Sequence, residues 1–251
     1  MSAPIMDTLK QKFADIVREN ALTDENISIK LGTLTTKQAI GDPSRKDYAL
    51  LEGREVMIEA RFRDGYGQAF TDSPADFEGT LVDILKLPLD SNHARALFIA
   101  SFNAVMASLG TVTATRHCKD EEPETCAREI ADYLMANYGQ NRIGQIGLQP
   151  AILENLTRVF GKENVSCTDL AVKNIGADKF GVEIWDGRTR TDELIEHSDI
   201  ILATSSTIIN DSYDHIARVC ADTGKRLIIF GISGASAAAV GNLERLCFQG
   251  H

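Results

Sequence analysis

The sequence predicts an α/β protein: a small α+β segment followed by a doubly wound parallel sheet. Three observations carry this. Apolar residues alternate with polar ones early in the chain, a helix that is apolar all round follows, and beyond about residue 140 strand-like and helix-like runs succeed one another strictly.

Leu9, Phe13, Ile16 and Val17 stand at i, i+4, i+7 and i+8 with charges between them, which predicts an amphipathic helix packed as a flank or lid. Ile27, Ile29 and Leu31 alternate with polar neighbours. Val56, Ile58, Ala60 and Phe62 do so with Met57, Glu59 and Arg61, the period of half-buried strands. Asp64-Gly65-Tyr66-Gly67 is read as a turn into a short strand over 68–71, giving an antiparallel meander. Residues 92–109 are apolar nearly all round, so their helix is buried, with Gly110 as its stop. After a loop over 111–122, Pro123 opens a helix that carries Ile130, Tyr133, Leu134 and Tyr138 and ends at Gly139. A domain boundary is placed there, giving domains 1–138 and 139–251. The second domain is read as strand 142–148, helix 150–160, strands 165–170 and 182–185, helix 191–197, strand 199–205, helix 210–223, strand 226–231 and a final helix 235–246.

A chain of 251 residues with 43% hydrophobic content can bury a real core, which excludes disorder as the main reading. No apolar run approaches the roughly 18 residues of a membrane helix, so the chain reads as soluble and globular. A net charge of −10 opposes phosphate backbones and anionic lipid, so neither nucleic acid nor membrane is expected as a partner. The N-terminus lacks the apolar stretch of a secretory signal, and five cysteines are an odd number, so a cytoplasmic protein with mostly free thiols is expected.

In a doubly wound sheet, ligands bind outside the carboxyl ends of the strands. The residues expected there are Gly147, Asp169, Thr204, Ser206, Thr207, Asn210, Gly231 and Ser233, in loops that are small, hydroxyl-rich or glycine-containing and mostly feed a helix N-terminus. Each could equally cap a helix or turn the chain with no ligand. Gly144-x-x-Gly147 is not the dinucleotide fingerprint, although Asp169 is spaced to meet a ribose. G-x-S-x-G is absent, and Ser205 and Ser206 have no assignable base.

The most unusual segment is RHCKDEEPETC, residues 116–126. It offers His117, Cys118, Asp120, Glu121 and Cys126, donors suited to zinc or another borderline-soft transition metal such as iron or nickel. A helix N-terminus would favour the Cys126 thiolate. The spacing C-x7-C is not that of a structural zinc site, however. Cys126 also shares a helix face with Ile130 and Tyr133, so a buried apolar thiol is the alternative. Asn103 is read as a satisfied core amide ahead of a cleft residue, and Glu59 with Arg61 as a cross-strand ion-pair face. His93, His197 and His215 are read as surface or capping residues, and Cys167, Cys220 and Cys247 as small core or helix-face residues.

The order of features, from the meander and the Asn-containing buried helix through RHCKDEEPETC to IGQIGLQP, TSSTIIND and FGISGAS, resembles the two-domain heavy-metal chelation family. The resemblance implies an enolase-N-terminal-like domain followed by a Rossmann-like domain, with a site in the cleft between them. Thr204, Ser206, Thr207 and Asn210 match the family segment T-G-[ST]-T-x-x-N, and Gly231 and Ser233 match G-P-[ST]. Ser205 stands for the glycine and Ile232 for the proline.

The expectation is a cleft that binds a small anionic or metal-chelating ligand, with or without a transition metal, and with a homodimer as the default assembly. Two rivals stay open. One is an enzyme using S-adenosylmethionine or a dinucleotide with Asp169 on the ribose hydroxyls, and the other is a non-catalytic metal carrier or sensor.

Overall fold

A computed structural model describes residues 4–22, 29–53, 55–73 and 76–251, and of Ile29 and Lys30 the backbone alone. Ile27, expected in the first strand, lies outside the described residues.

The first part runs α1 (Ile5–Glu19), β1 (Ile29–Thr33), α2 (Thr36–Ile40), a 3-10 turn (Ala49–Leu51), β2 (Val56–Phe62), β3 (Gly65–Thr71), β4 (Phe77–Gly79), α3 (Leu81–Lys86) and α4 (Asn92–Ser108). Its four strands form an antiparallel sheet in the order β3-β2-β1-β4. The expected turn at 64–67 is shorter than read. Phe62 pairs with Gly65, so only Arg63 and Asp64 turn the chain, with Arg63 at φ +53°. The glycines serve packing instead, since a Cβ on Gly67 would lie 2.2 Å from the Ala104 nitrogen and one on Gly65 2.2 Å from the Ala104 carbonyl oxygen. Their absence of a side chain lets α4 lie directly on β3. α4 is buried from Ala94 to Met106, with Phe98 and Phe102 packed on Phe13 of α1. It is apolar all round because its other side meets Ile208 and Ala237 from the second half of the chain.

The second part runs α5 (Glu122–Tyr138), β5 (Ile143–Ile146), α6 (Pro150–Phe160), β6 (Val165–Asp169), β7 (Asp178–Lys179), β8 (Val182–Asp186), α7 (Thr191–His197), β9 (Ile200–Thr204), α8 (Ser206–Ile209), α9 (Tyr213–Thr223), β10 (Arg226–Phe230), α10 (Ala235–Gly241) and β11 (Arg245–Leu246). The sheet order is β11-β10-β9-β5-β6-β8-β7, with β7 alone antiparallel. Counted in chain order from β8, the six parallel strands stand 3-2-1-4-5-6, the doubly wound order whose switch point lies between β5 and β9. One face packs Ile143, Ile184, Leu202 and Ile228 against Ile130 and Leu134 of α5 and Leu153 and Leu156 of α6. The other packs Ile146, Ile201 and Ala203 against Leu194 of α7 and Ile216 of α9. Both faces being covered explains why β9 reads as an unbroken apolar run.

Three boundaries differ from the sequence reading. The final helix stops at Gly241 because Asn242 turns left-handed (φ +53°), and Arg245–Leu246 becomes a parallel edge strand on β10. The helix read from residue 210 begins at Tyr213, after Asp211 breaks the chain at φ +70°. Helix α5, read as the end of the first domain, packs on α6 in the second sheet's core, a choice that helical periodicity alone does not make. No helix among the described residues is long and apolar enough to cross a membrane.

Candidate functional site

The first sheet docks beside the carboxyl ends of the parallel strands, and a buried amide sits at the centre of that junction. Asn103 of α4 is fully buried; its Nδ2 donates to the carbonyls of Gln68, Ile232 and Ser233, and its Oδ1 accepts from the Ser236 N–H at 2.9 Å. Ser233 joins this clamp, its hydroxyl oxygen accepting from the Phe70 N–H at 3.1 Å. Both groups are therefore consumed by the junction, and Ser233 is not exposed to a ligand.

Beside the clamp opens a cleft of about 240 Å³, lined from the first part by Tyr48, Glu55, Phe70, His117 and Cys118, from α5 by Cys126, and from the strand ends by Gly147, Asp169, Thr204, Ser206, Asn210 and Gly231. Six of the eight strand-end residues expected from sequence thus share one space. Of the other two, Ser233 sits in the clamp. Thr207 is buried behind the strand end, donating its hydroxyl to the Thr204 carbonyl at 2.7 Å.

The loop after β5 is closed on itself. The Gly147 N–H donates to the Thr168 carbonyl, the Leu148 N–H to Asp169, and the Ile152 N–H to the Gln149 side chain, while Pro150 has no N–H. Asp169 spends both oxygens on the Leu148 and Ala171 N–H groups, each at 2.7 Å, and on the Asn174 amide at 3.2 Å. A pyrophosphate meeting the Leu148 and Ile152 N–H groups, or a ribose on Asp169, would have to displace bonds already made.

The five expected metal donors separate. Asp120, left-handed at φ +52°, accepts from the Asp42 N–H at 2.8 Å, and Glu121 accepts from the Ser44 N–H and hydroxyl. Both carboxylates fasten the 41–44 loop. The buried Cys118 thiol is pushed up to about 12 by burial and then by Cys126, so it stays protonated. Among the described residues, no three His, Cys, Asp or Glu groups are placed to hold a metal ion, so the set does not fit a resident metal centre.

Two donors remain in the cleft in usable form. His117 Nδ1 lies 2.5 Å from the Cys118 carbonyl, which can only accept, so Nδ1 carries the proton and Nε2 keeps its lone pair. Burial holds its pKa down to about 4, so the ring is neutral. The second donor is a thiol pair that sequence reasoning missed. Cys126 is paired with Cys247, whose thiol lowers the Cys126 pKa against the opposing effect of burial; the N–H groups of Gln249 and Phe248 add to the lowering. Cys247 is pushed up correspondingly. The chain tail reaches Cys126 because Arg245 donates to the Ala114 and Gly231 carbonyls, His251 exchanges backbone bonds with Arg116, and Gln249 bonds Glu129. Residues so far apart in sequence carry no spacing signal, and Cys247 as a lone thiol reads as filler.

Glu55 is the last group of note. Solvent reaches it from the open side of the cleft, yet desolvation, and then the Asp169 and Asp72 carboxylates, push its pKa up.

A two-sheet α/β protein with a cleft at the carboxyl ends of a doubly wound sheet is the class these features define. Residues 130–242 match the model of the DUF364 family, described as "Putative heavy-metal chelation". The resemblance read from the sequence therefore holds over that stretch. Among solved structures, a protein of unknown function from the DUF364 family of Pyrococcus horikoshii is 15% identical with a TM-score of 0.56, covering 92% of this chain and 80% of its own. Another of that family, from Desulfitobacterium hafniense, is 10% identical with a TM-score of 0.49, covering 74% and 72%. The first supports the fold. No curated protein matches the chain.

Proposed function

We propose that the protein binds a small metal-chelating or anionic ligand in the cleft between its two sheets, and that any transition metal enters as part of that ligand. The observation that carries this reading is the pairing of His117, neutral with Nε2 open, and the Cys126–Cys247 thiols as lining of one cleft at the strand ends. An imidazole whose other nitrogen is bound to a backbone carbonyl is the oriented form that ligates metals. A thiol whose pKa is lowered by its neighbour adds a soft donor. Two such donors leave most of a coordination sphere open, which a chelating small molecule would fill. Asp120 and Glu121 are spent on the 41–44 loop and are left out of the proposed ligand set. The DUF364 description agrees with a metal-linked ligand.

The test is a thermal-shift titration of protein purified without a metal-affinity step, using Zn²⁺, Ni²⁺ and Fe²⁺ alone and as their citrate and histidine complexes. Stabilisation by a complex, beyond that of metal or chelator alone and lost in His117→Ala and Cys126→Ser, is the expected result. A response to none, or one unchanged in both variants, overturns the reading.

A further inference from the structure

On the opposite side of the same strand ends lies a second pocket, of about 310 Å³, walled by the ends of β5, β6 and β9 and the starts of α7 and α9. It stands at the switch point between β5 and β9, where the crossovers leave in opposite directions and the sheet opens a crevice. Thr168 forms part of its wall. That residue is fully buried, and its hydroxyl has no hydrogen-bond partner among the described residues. A buried hydroxyl in that state is a standing cost to the fold unless something outside the chain satisfies it.

The neighbouring groups decide what that something is. Thr191 donates its hydroxyl to the Gly187 carbonyl, Thr207 to the Thr204 carbonyl and Ser212 to Asn210 Oδ1, each at 2.7 Å. Each of these protons is spent and each oxygen keeps lone pairs, while the Asn210 amide nitrogen in the same wall has protons to give, so the wall accepts at several points and donates at one, as a hydroxyl-bearing ring requires. A phosphate, which brings acceptors only, is mismatched. Charge argues the same way. Arg188 is held by the Leu170 carbonyl and Asp186, while Asp169 and Asp192 stand in the wall. A metal cation is no better served, because Asp169 already accepts three hydrogen bonds, Asp192 is bonded to His215 at 2.6 Å, and among the described residues no three His, Cys, Asp or Glu groups are placed to hold a metal ion. What fits is an uncharged group rich in O–H donors. The apolar side chains Ile146 and Ile216 line the same pocket and offer a surface to C–H faces.

We propose that this pocket is a second binding site, for a neutral polyhydroxylated ring such as a pentose, with Thr168 as the group that recognises it. The pocket shares Gly147, Asp169, Leu170, Thr204 and Asn210 with the main cleft but uses neither His117 nor the thiols, so a His117 variant separates this proposal from the reading of that cleft.

The experiment is a calorimetric and thermal-shift titration with ribose, adenosine and inorganic phosphate on wild type, Thr168→Val, Ser212→Ala and, as a control for the main cleft, His117→Ala. Ribose or adenosine binds the wild type and His117→Ala alike. Binding is lost in Thr168→Val and weakened about five-fold in Ser212→Ala, the worth of one hydrogen bond. Unliganded Thr168→Val melts at or above the wild-type temperature, because a methyl replaces a hydroxyl without a partner. Equal binding of both compounds marks a free sugar as the ligand, and tighter binding of adenosine marks a nucleoside. The proposal is overturned if neither compound binds at millimolar concentration, or if phosphate binds as well as they do. It also fails if Thr168→Val binds like wild type or melts clearly lower, which would make the hydroxyl the partner of a structural water. Should Thr168→Val not fold, undiminished binding in Ser212→Ala overturns it.

Discussion

The 116–126 loop and the strand-end loops read alike as ligand sites, and the structure treats them oppositely. In the first, the carboxylates of Asp120 and Glu121 are spent on the N–H groups of Asp42 and Ser44, and only the imidazole and sulfur donors reach the cleft. In the second, most of the expected residues line the cleft, but in the loop after β5 the N–H groups of Gly147, Leu148 and Ile152 are already bonded. A polar side chain beside a loop is claimed first by that loop's own unpaired backbone, because a buried N–H left without a partner costs more than a surface bond returns. What can bind a ligand is the remainder.

The largest effect expected from breaking this arrangement is at the clamp. Asn103→Ala strips partners from three carbonyls and one N–H in the buried junction and should cost about 2–4 kcal/mol in urea unfolding. A loss under about 1 kcal/mol would mean that the 232–236 turn holds itself.

Acid should come next. Burial keeps His117 neutral in the fold with its pKa near 4, whereas the unfolded chain takes up its proton near 6.5. The stabilisation is complete above pH 6.5 and is lost as the pH falls towards 4, on the order of 1–3 kcal/mol. Chemical denaturation between pH 7 and 4 should therefore show a slope that His117→Phe removes. If the variant keeps the slope, other groups carry it.

Asp120→Ala should cost roughly 1 kcal/mol by freeing the Asp42 N–H, and should leave any response to metal complexes as in wild type. An altered metal response would return Asp120 to the ligand set and erase the contrast between acids and soft donors.

The smallest change in stability, and the most selective readout, is thiol labelling. Iodoacetamide should modify Cys126 with a rate that rises at a lower pH than an ordinary thiol requires, while Cys118 stays inert until far more alkaline pH. Mass mapping of the adduct distinguishes them. Cys247→Ser removes the thiol that lowers the Cys126 pKa, so the rise should move to higher pH.

Much of the fold was legible because its elements are local. Val56–Phe62, Pro150–Phe160 and Thr191–His197 are found where periodicity and punctuation placed them. The short elements were not. α2 and α3 have capping boxes at Thr35 and Thr80 but are only five and six residues long, while β4 and β7 have three and two residues and no period to detect. At the candidate site, His117, Cys118 and Cys126 were picked out by composition and do line the cleft. Asp120 and Glu121 were picked out by the same composition and do not, because no spacing rule says which backbone N–H a carboxylate will meet.

The sequence by itself determined the alternation of strands and helices, the all-round burial of α4 and the residue types at the strand ends, since hydrophobic period and turn chemistry act within a few residues. Only the tertiary structure decided that Asn103 would join the two sheets, that Cys247 would return to Cys126 across 120 residues of sequence, and that Thr168 would be buried with no partner for its hydroxyl among the described residues. These depend on which surfaces meet when two separately patterned sheets pack, and the free energy of that meeting is shared among groups far apart along the chain.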